Sequence, residues 1–230
     1  MGSYKKKLEE LAEKERALWR IFDQTPFEEL LAIDRVTAEE ALQLLDYPAY
    51  FDLLELPLPD NREGILAALA SDRLIRQSQA GGWDITNLGA ILFAKRLDAF
   101  RSLRRKAVRV VQYRGPDRSE TLKEQEDSKG YACGVEGLIG FINAVLPSNE
   151  VIGSALRSSV PMFPELAVRE LAVRELVANA LIHQDFFLTG TGPIVEIFED
   201  RIEITNPGMP LVDTDRFVDT PPRSRNETLA

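Results

Sequence analysis

Glu175, Asn179 and His183 recur at intervals of four, so on a helix they stack a turn apart along one face. Leu171, Leu176, Val177, Ala180 and Leu181 supply an apolar remainder. A carboxylate beside a carboxamide can do two kinds of work. It can help hold a magnesium ion, which takes a few protein oxygens and completes its octahedron with phosphate oxygens and waters. It can also orient a water for attack, as general-base chemistry requires. The plainer reading is an ion pair from Glu175 to an arginine and an asparagine that caps a loop. Zinc does not suit the set, because an asparagine is a poor zinc ligand. His183 is the only histidine, and a cation at a helix C-terminus suits the dipole. With Asp185 it can anchor the helix end to the loop that follows.

These residues need a helix and a floor. Pro161-Met162-Phe163-Pro164 reads as an extended lead, with Pro164 suited to a first helical turn. The helix carries the five-residue duplication Leu166–Glu170 and Leu171–Glu175, a local feature and not an architecture. Gly190-Thr191-Gly192-Pro193 reads as a turn. Ile194–Phe198 and Arg201–Ile204, joined by Glu199-Asp200, read as a hairpin, and Asn206-Pro207-Gly208 breaks its second strand. That break is expected to face the helix that carries Asn179.

The run Arg174-Glu175 with Asn179-Ala180-Leu181-Ile182-His183 resembles the N-box helix of the Bergerat-type (GHKL) ATP-binding fold. The longer string from Pro164 to Asp185-Phe186 is similar to the C-terminal part of a prokaryotic group with an N-terminal Schlafen-AlbA domain. Those proteins are labelled transcriptional regulators or RecG-related ATP-dependent DNA helicases. Ile197–Gly208 resembles their "DRIEI-NPG" segment, Ser224-Arg225-Asn226 their next short motif, and Leu88–Lys95 their central "AG-LLFGK" segment. The resemblance implies ATP and Mg2+ as cofactors. It implies Asn179 as the magnesium ligand, Glu175 as the catalytic, water-orienting carboxylate, and Asn206 with Gly208 at the base, with His183 on the same nucleotide-facing stripe. It also implies DNA as a partner through a domain that would precede residue 1, so the chain is expected to be a piece truncated at both ends.

Two departures bear on that expectation. Such folds carry Asp-x-Gly-x-Gly after the second strand, and here Asn206-Pro207-Gly208-Met209-Pro210 stands in its place. The asparagine carbonyl can still accept a hydrogen bond. No Gly-x-Gly-x-Gly follows Asn179, and there is no Gly-x-x-x-x-Gly-Lys-Ser/Thr anywhere, so a phosphate-cradling loop of that kind is not encoded.

Composition sets the outer bounds. The 230 residues are 44% hydrophobic, enough for one large or two small domains. No apolar run reaches the roughly 18 residues that span a bilayer. Lys5-Lys6-Lys7 is not followed by the apolar stretch of a signal peptide. A single cysteine, Cys133, allows no internal disulfide and fits a cytoplasmic protein; its apolar surroundings point to a core role. The net charge of −9 argues against a principal nucleic-acid surface here. The most basic run, Arg101-Ser102-Leu103-Arg104-Arg105-Lys106, reads as a solvated loop at a domain junction, because no aromatic residues interleave to stack bases.

The expected fold class is α+β: a linker helix over residues 1–24, a mainly helical module over 25–104, and a truncated Bergerat-like α/β sandwich over 105–230. In the module, Thr37 and Glu40 form a capping-box pattern. Asn61 opens a second helix and Thr86 caps a third. Helix, Gly81-Gly82 turn and helix are similar in order to a winged-helix module. Val108–Tyr113 reads as a strand, 115–130 as a loop, 131–146 as an amphipathic helix and Val151–Leu156 as a strand. Three functions stay open: a nucleotide-responsive effector domain of a DNA-associated transcriptional regulator, a catalytically dead oligomerisation or partner module, and an ATP-driven, helicase-related enzyme, of which this piece alone is expected to be inactive.

Overall fold

The structure is a computed structural model that describes residues 25–146, 148–152, 157–161, 166–211 and 224–229. The helix expected over 4–22, the Pro164 lead and most of Pro221-Pro222's surroundings lie outside these residues.

After a 3-10 turn at Phe27–Glu29, β1 (Leu31–Val36) leads into three helices, α1 (Ala38–Leu44), α2 (Tyr47–Leu53) and α3 (Arg62–Ser71). Thr37 and Glu40 close a reciprocal capping box on α1, worth about 1 kcal/mol. Asn61 accepts from Gly64 N at the start of α3, and Thr86 from Gly89 N at the start of α4 (Asn87–Phe93). Between α3 and α4 lie β2 (Ile75–Gln77) and β3 (Trp83–Thr86), joined through Gly81 and Gly82, both at positive φ. A Cβ on Gly82 would stand 2.7 Å from the Val36 carbonyl oxygen, so the strand crossing admits only glycine there. The three strands form an antiparallel sheet in the order β1-β3-β2. Helix periodicity in the sequence gave no sign of this sheet. Its strands are three to six residues long, with an irregular register between β1 and β3, too short to show a two-residue alternation.

The second half is built on a four-stranded sheet in the order β5-β4-β8-β9, comprising β4 (Arg109–Tyr113), β5 (Thr121–Glu126), β8 (Ile194–Ile197) and β9 (Ile202–Thr205). β4 and β8 are parallel and the outer pairs antiparallel. The crossover from β4 to β8 contains α5 (Tyr131–Val145), a hairpin of β6 (Ser148–Ile152) with β7 (Arg157–Pro161), and α6 (Leu166–His183). The chain is thus α+β, with helices packed on a mixed sheet. Strand β5 corrects the loop expected over 115–130. All six of its residues are exposed, so ladder bonds to β4 and not burial hold it, and composition gave no apolar signal.

One core runs through both halves, from Phe27, Leu45 and Ile91 to Ile142, Val177 and Ile197. Each such side chain withdrawn from water contributes about 1.5–3 kcal/mol. Phe27 stacks on Phe186 at 5.2 Å between centroids, which ties the first turn of the module to the loop after α6.

Candidate functional site

α6 forms because eighteen residues rich in Ala, Leu, Arg and Glu contain neither Gly nor Pro. Val173, Val177, Ala180 and Leu181 are its buried stripe. Glu175 falls on the opposite side, where Leu171 and Leu176 are also open to solvent. Asn179 is half-buried, and its Nδ2 donates to Glu175 Oε1 at 3.2 Å. That bond engages the amide nitrogen and not the oxygen, the atom able to ligate a cation. An ion pair joins Arg174, one residue earlier, to Glu136 on α5. Among the described residues no cluster of three or more His, Cys, Asp or Glu is placed to hold a metal.

The end of the same helix is built differently. Gln184 is fully buried, donating to Tyr131 Oη and to the Leu181 carbonyl. Tyr131 in turn donates to the Lys106 carbonyl at 2.6 Å, and burial pushes its phenol well above the ordinary range. Lys106, only 2% exposed, donates through Nζ to the carbonyls of Asp185 and Leu188 and lies over the Phe186 ring. Burial lowers its pKa, and the nearby Asp185 charge opposes that shift. Asn226 Nδ2 donates to the carbonyls of Ile182 and Gln184, the unpaired acceptors that a helix end leaves. Arg225 pairs with Asp185 Oδ2 at 2.6 Å and donates to the Met209 carbonyl. The Asp185 amide donates to the Pro207 carbonyl at 2.7 Å.

Three sequence motifs therefore meet at one helix end: His183-Gln184-Asp185, Asn206-Pro207-Gly208 and Ser224-Arg225-Asn226. Of the five candidate residues, Glu175 and Asn179 are brought together. His183 lies half-buried on the last turn, where Asp185, with Arg225, does the anchoring. Asn206 and Gly208 follow β9, and Gly208, at φ +122°, sits against Asp185, where a Cβ would approach its Cβ to 3.0 Å. The Asn-Pro-Gly break thus meets the end of the helix that carries Asn179, at Asp185, two residues past its last turn. Sequence reasoning missed the roles of Lys106, Arg225 and Asn226. Lys106 ends a basic run that reads as solvated, and the only sequence sign against that is the apolar Leu103 and Ala107 near it, both buried in the structure.

The hairpin motif has its own network. Glu196, 8% exposed on β8, takes two bonds from Arg118 and one from Tyr113, and the Arg118 guanidinium holds its carboxyl below the usual range. Arg201 lies 3.9 Å over the Phe198 ring. Cys133 is half-buried, and burial pushes its thiol to about 11, which makes it a poor nucleophile.

Residues 190–230 match the model of a family described as "Putative ATP-dependent DNA helicase recG C-terminal". No curated protein and no solved structure gives a match. The last part of the chain is thus similar to an ATPase-like, RecG-related region, and it supplies β8, β9, the Asn-Pro-Gly break and the Ser-Arg-Asn motif. No helix among the described residues is long and apolar enough to cross a membrane.

Proposed function

We propose that residues 105–230 form a nucleotide-binding effector domain of Bergerat type within a DNA-associated regulator, with α6 as its nucleotide-facing helix. The observation that carries this reading is the Glu175–Asn179 pair, linked by a hydrogen bond, with Glu175 exposed and Asn179 half-buried, on a helix whose end is tied to the ATPase-like segment. The donor set fits the group. One amide oxygen and one carboxylate suit a magnesium ion that brings phosphate oxygens and waters of its own. Bound Mg–ATP would supply the phosphoanhydride and the cation. Asn179 would hold the cation through Oδ1, and Glu175 would fix the Asn179 amide and accept from a water. Lys106, Asp185 and Asn226 would keep the helix in place. Titration calorimetry of the full chain with a non-hydrolysable Mg–ATP analogue tests it. Binding that is lost in Asn179→Ala supports the proposal, and equal binding by both proteins removes it.

One observation favours a second reading. Leu171 and Leu176 flank Glu175 at 67% and 52% exposure, an apolar surface beside the pair. On that reading the site is dead and α6 docks a partner or a second copy of the chain. Oligomerisation that is abolished by Leu176→Glu, with no nucleotide bound, would establish it. Among these 230 residues no Gly-x-x-x-x-Gly-Lys-Ser/Thr loop supports a helicase motor.

A further inference from the structure

Glu28 is an oddity that the nucleotide reading leaves unused. It sits in the 3-10 turn before β1, is 1% exposed, and neither of its side-chain oxygens completes a hydrogen bond. An unpaired buried carboxylate is expensive, and natural structures keep one only where something else meets it. Glu28 lines a cavity of about 280 Å³, far more than a single water needs. Ile75 and Leu88 contribute an apolar wall, and Arg73 and Arg76 line it as well.

Arg76 already has one acidic partner. Arg76 reaches Asp84 only at 3.5 Å, and that carboxylate also accepts from the Arg35 amide at 2.9 Å. Arg73 holds φ at +58°, a left-handed conformation that glycine adopts freely and arginine adopts at a cost of about 1 kcal/mol. Arg73 takes it as the residue just past α3, where its amide donates to the Ala70 carbonyl and the Leu74 amide to the Leu69 carbonyl, a Schellman helix end. The wall is firm behind it, because Thr86 Oγ1 bonds the carbonyls of Arg73 and Leu74. Two carboxylate residues, Glu28 and Glu29, and two arginines thus line the cavity together with the apolar Ile75 and Leu88.

We propose that this cavity binds a small aliphatic zwitterion of the free amino acid class, with its ammonium on Glu28, its carboxylate on Arg73 and Arg76, and its side chain against Ile75 and Leu88. An ammonium meets a buried carboxylate that no side-chain cation pairs and that only the Glu28 and Thr228 amides approach, and a carboxylate gives the guanidinium groups a bidentate partner. Thr228 lines the same cavity two residues from Asn226, so an occupant touches the segment that caps α6. The site uses neither Glu175 nor Asn179, so its failure leaves the nucleotide proposal standing, and the reverse.

The test is a thermal-shift and calorimetric series on the full chain with leucine, isoleucine and valine, each beside its methyl ester and its N-acetyl derivative. The ester keeps only the cation and the N-acetyl form only the anion. Binding by at least one free amino acid is expected, with both derivatives at least tenfold weaker. Glu28→Gln, which keeps the shape and removes the charge, is expected to abolish it. Arg73→Gly, which relieves the strained backbone and so preserves the fold, is expected to weaken it at least tenfold. The proposal is overturned if none of the three amino acids binds, if both derivatives bind as well as the parent, or if Glu28→Gln binds as the wild type does.

Discussion

The two ends of α6 present the same types of side chain in opposite settings. Around Glu175 and Asn179 the carboxylate is exposed and the amide half-buried, and the two share one 3.2 Å bond beside exposed leucines. Around Gln184 and Asp185 the polar groups are more enclosed and make several bonds, with Lys106, Tyr131, Arg225 and Asn226, although Gln184 Oε1 and Arg225 Nε find no partner. Polar side chains buried with their partners fix a structure, whereas those left open on a rigid element are available to a ligand. The comparison divides a single continuous motif into a lock and a candidate site.

Breaking the lock should have the largest effects. Lys106→Met leaves the Asp185 and Leu188 carbonyls without their donor and should cost about 2–4 kcal/mol, read as a lower denaturation midpoint. Asn226→Ala strips two carbonyls at the helix end and should cost about 2 kcal/mol in the same assay. Gly208→Ala forces a Cβ against Asp185 at positive φ and should cost about 1–2 kcal/mol. A change in the open face should do far less. Asn179→Ala should shift stability by under about 0.5 kcal/mol while removing nucleotide binding. A lysine variant as stable as the wild type would erase the distinction.

Glu28 sharpens the comparison as a buried group outside both regions. Burial raises its carboxyl above the ordinary value of 4.5, and the Glu29 and Glu227 charges add to the rise; the amides of Glu28 and Thr228 oppose it. Its proton is thus held more tightly in the folded state than in the unfolded one. The stability it allows is present below about pH 4.5 and falls as pH rises through the folded value. Glu28→Gln should match the wild type at pH 4 and exceed it at pH 7, as denaturant midpoints at the two pH values would show. A gap that runs the other way would mean that the carboxylate is paired in solution.

Much of this was legible in the sequence because the signals were local. The Thr37–Glu40 capping box, the Asn61 and Thr86 caps, the helices at 131–145 and 166–183 and the β8–β9 hairpin all follow from residue spacing. The sheet of the module did not, since strands of three to six residues carry too few positions for a period. β5 did not, since pairing with β4 and not burial holds it. The Glu175–Asn179 pairing was readable from a four-residue interval. The roles of Lys106 and Asn226 were not, because their partners lie 79–82 and 42–44 residues away and no local pattern records such contacts.

The most direct test of the division of α6 is amide hydrogen exchange along 171–188, with and without a non-hydrolysable Mg–ATP analogue. The account predicts added protection over 172–180 and none at 184–188, where the lock is already closed. Protection confined to 184–188, or none along α6 at saturating analogue, would contradict it.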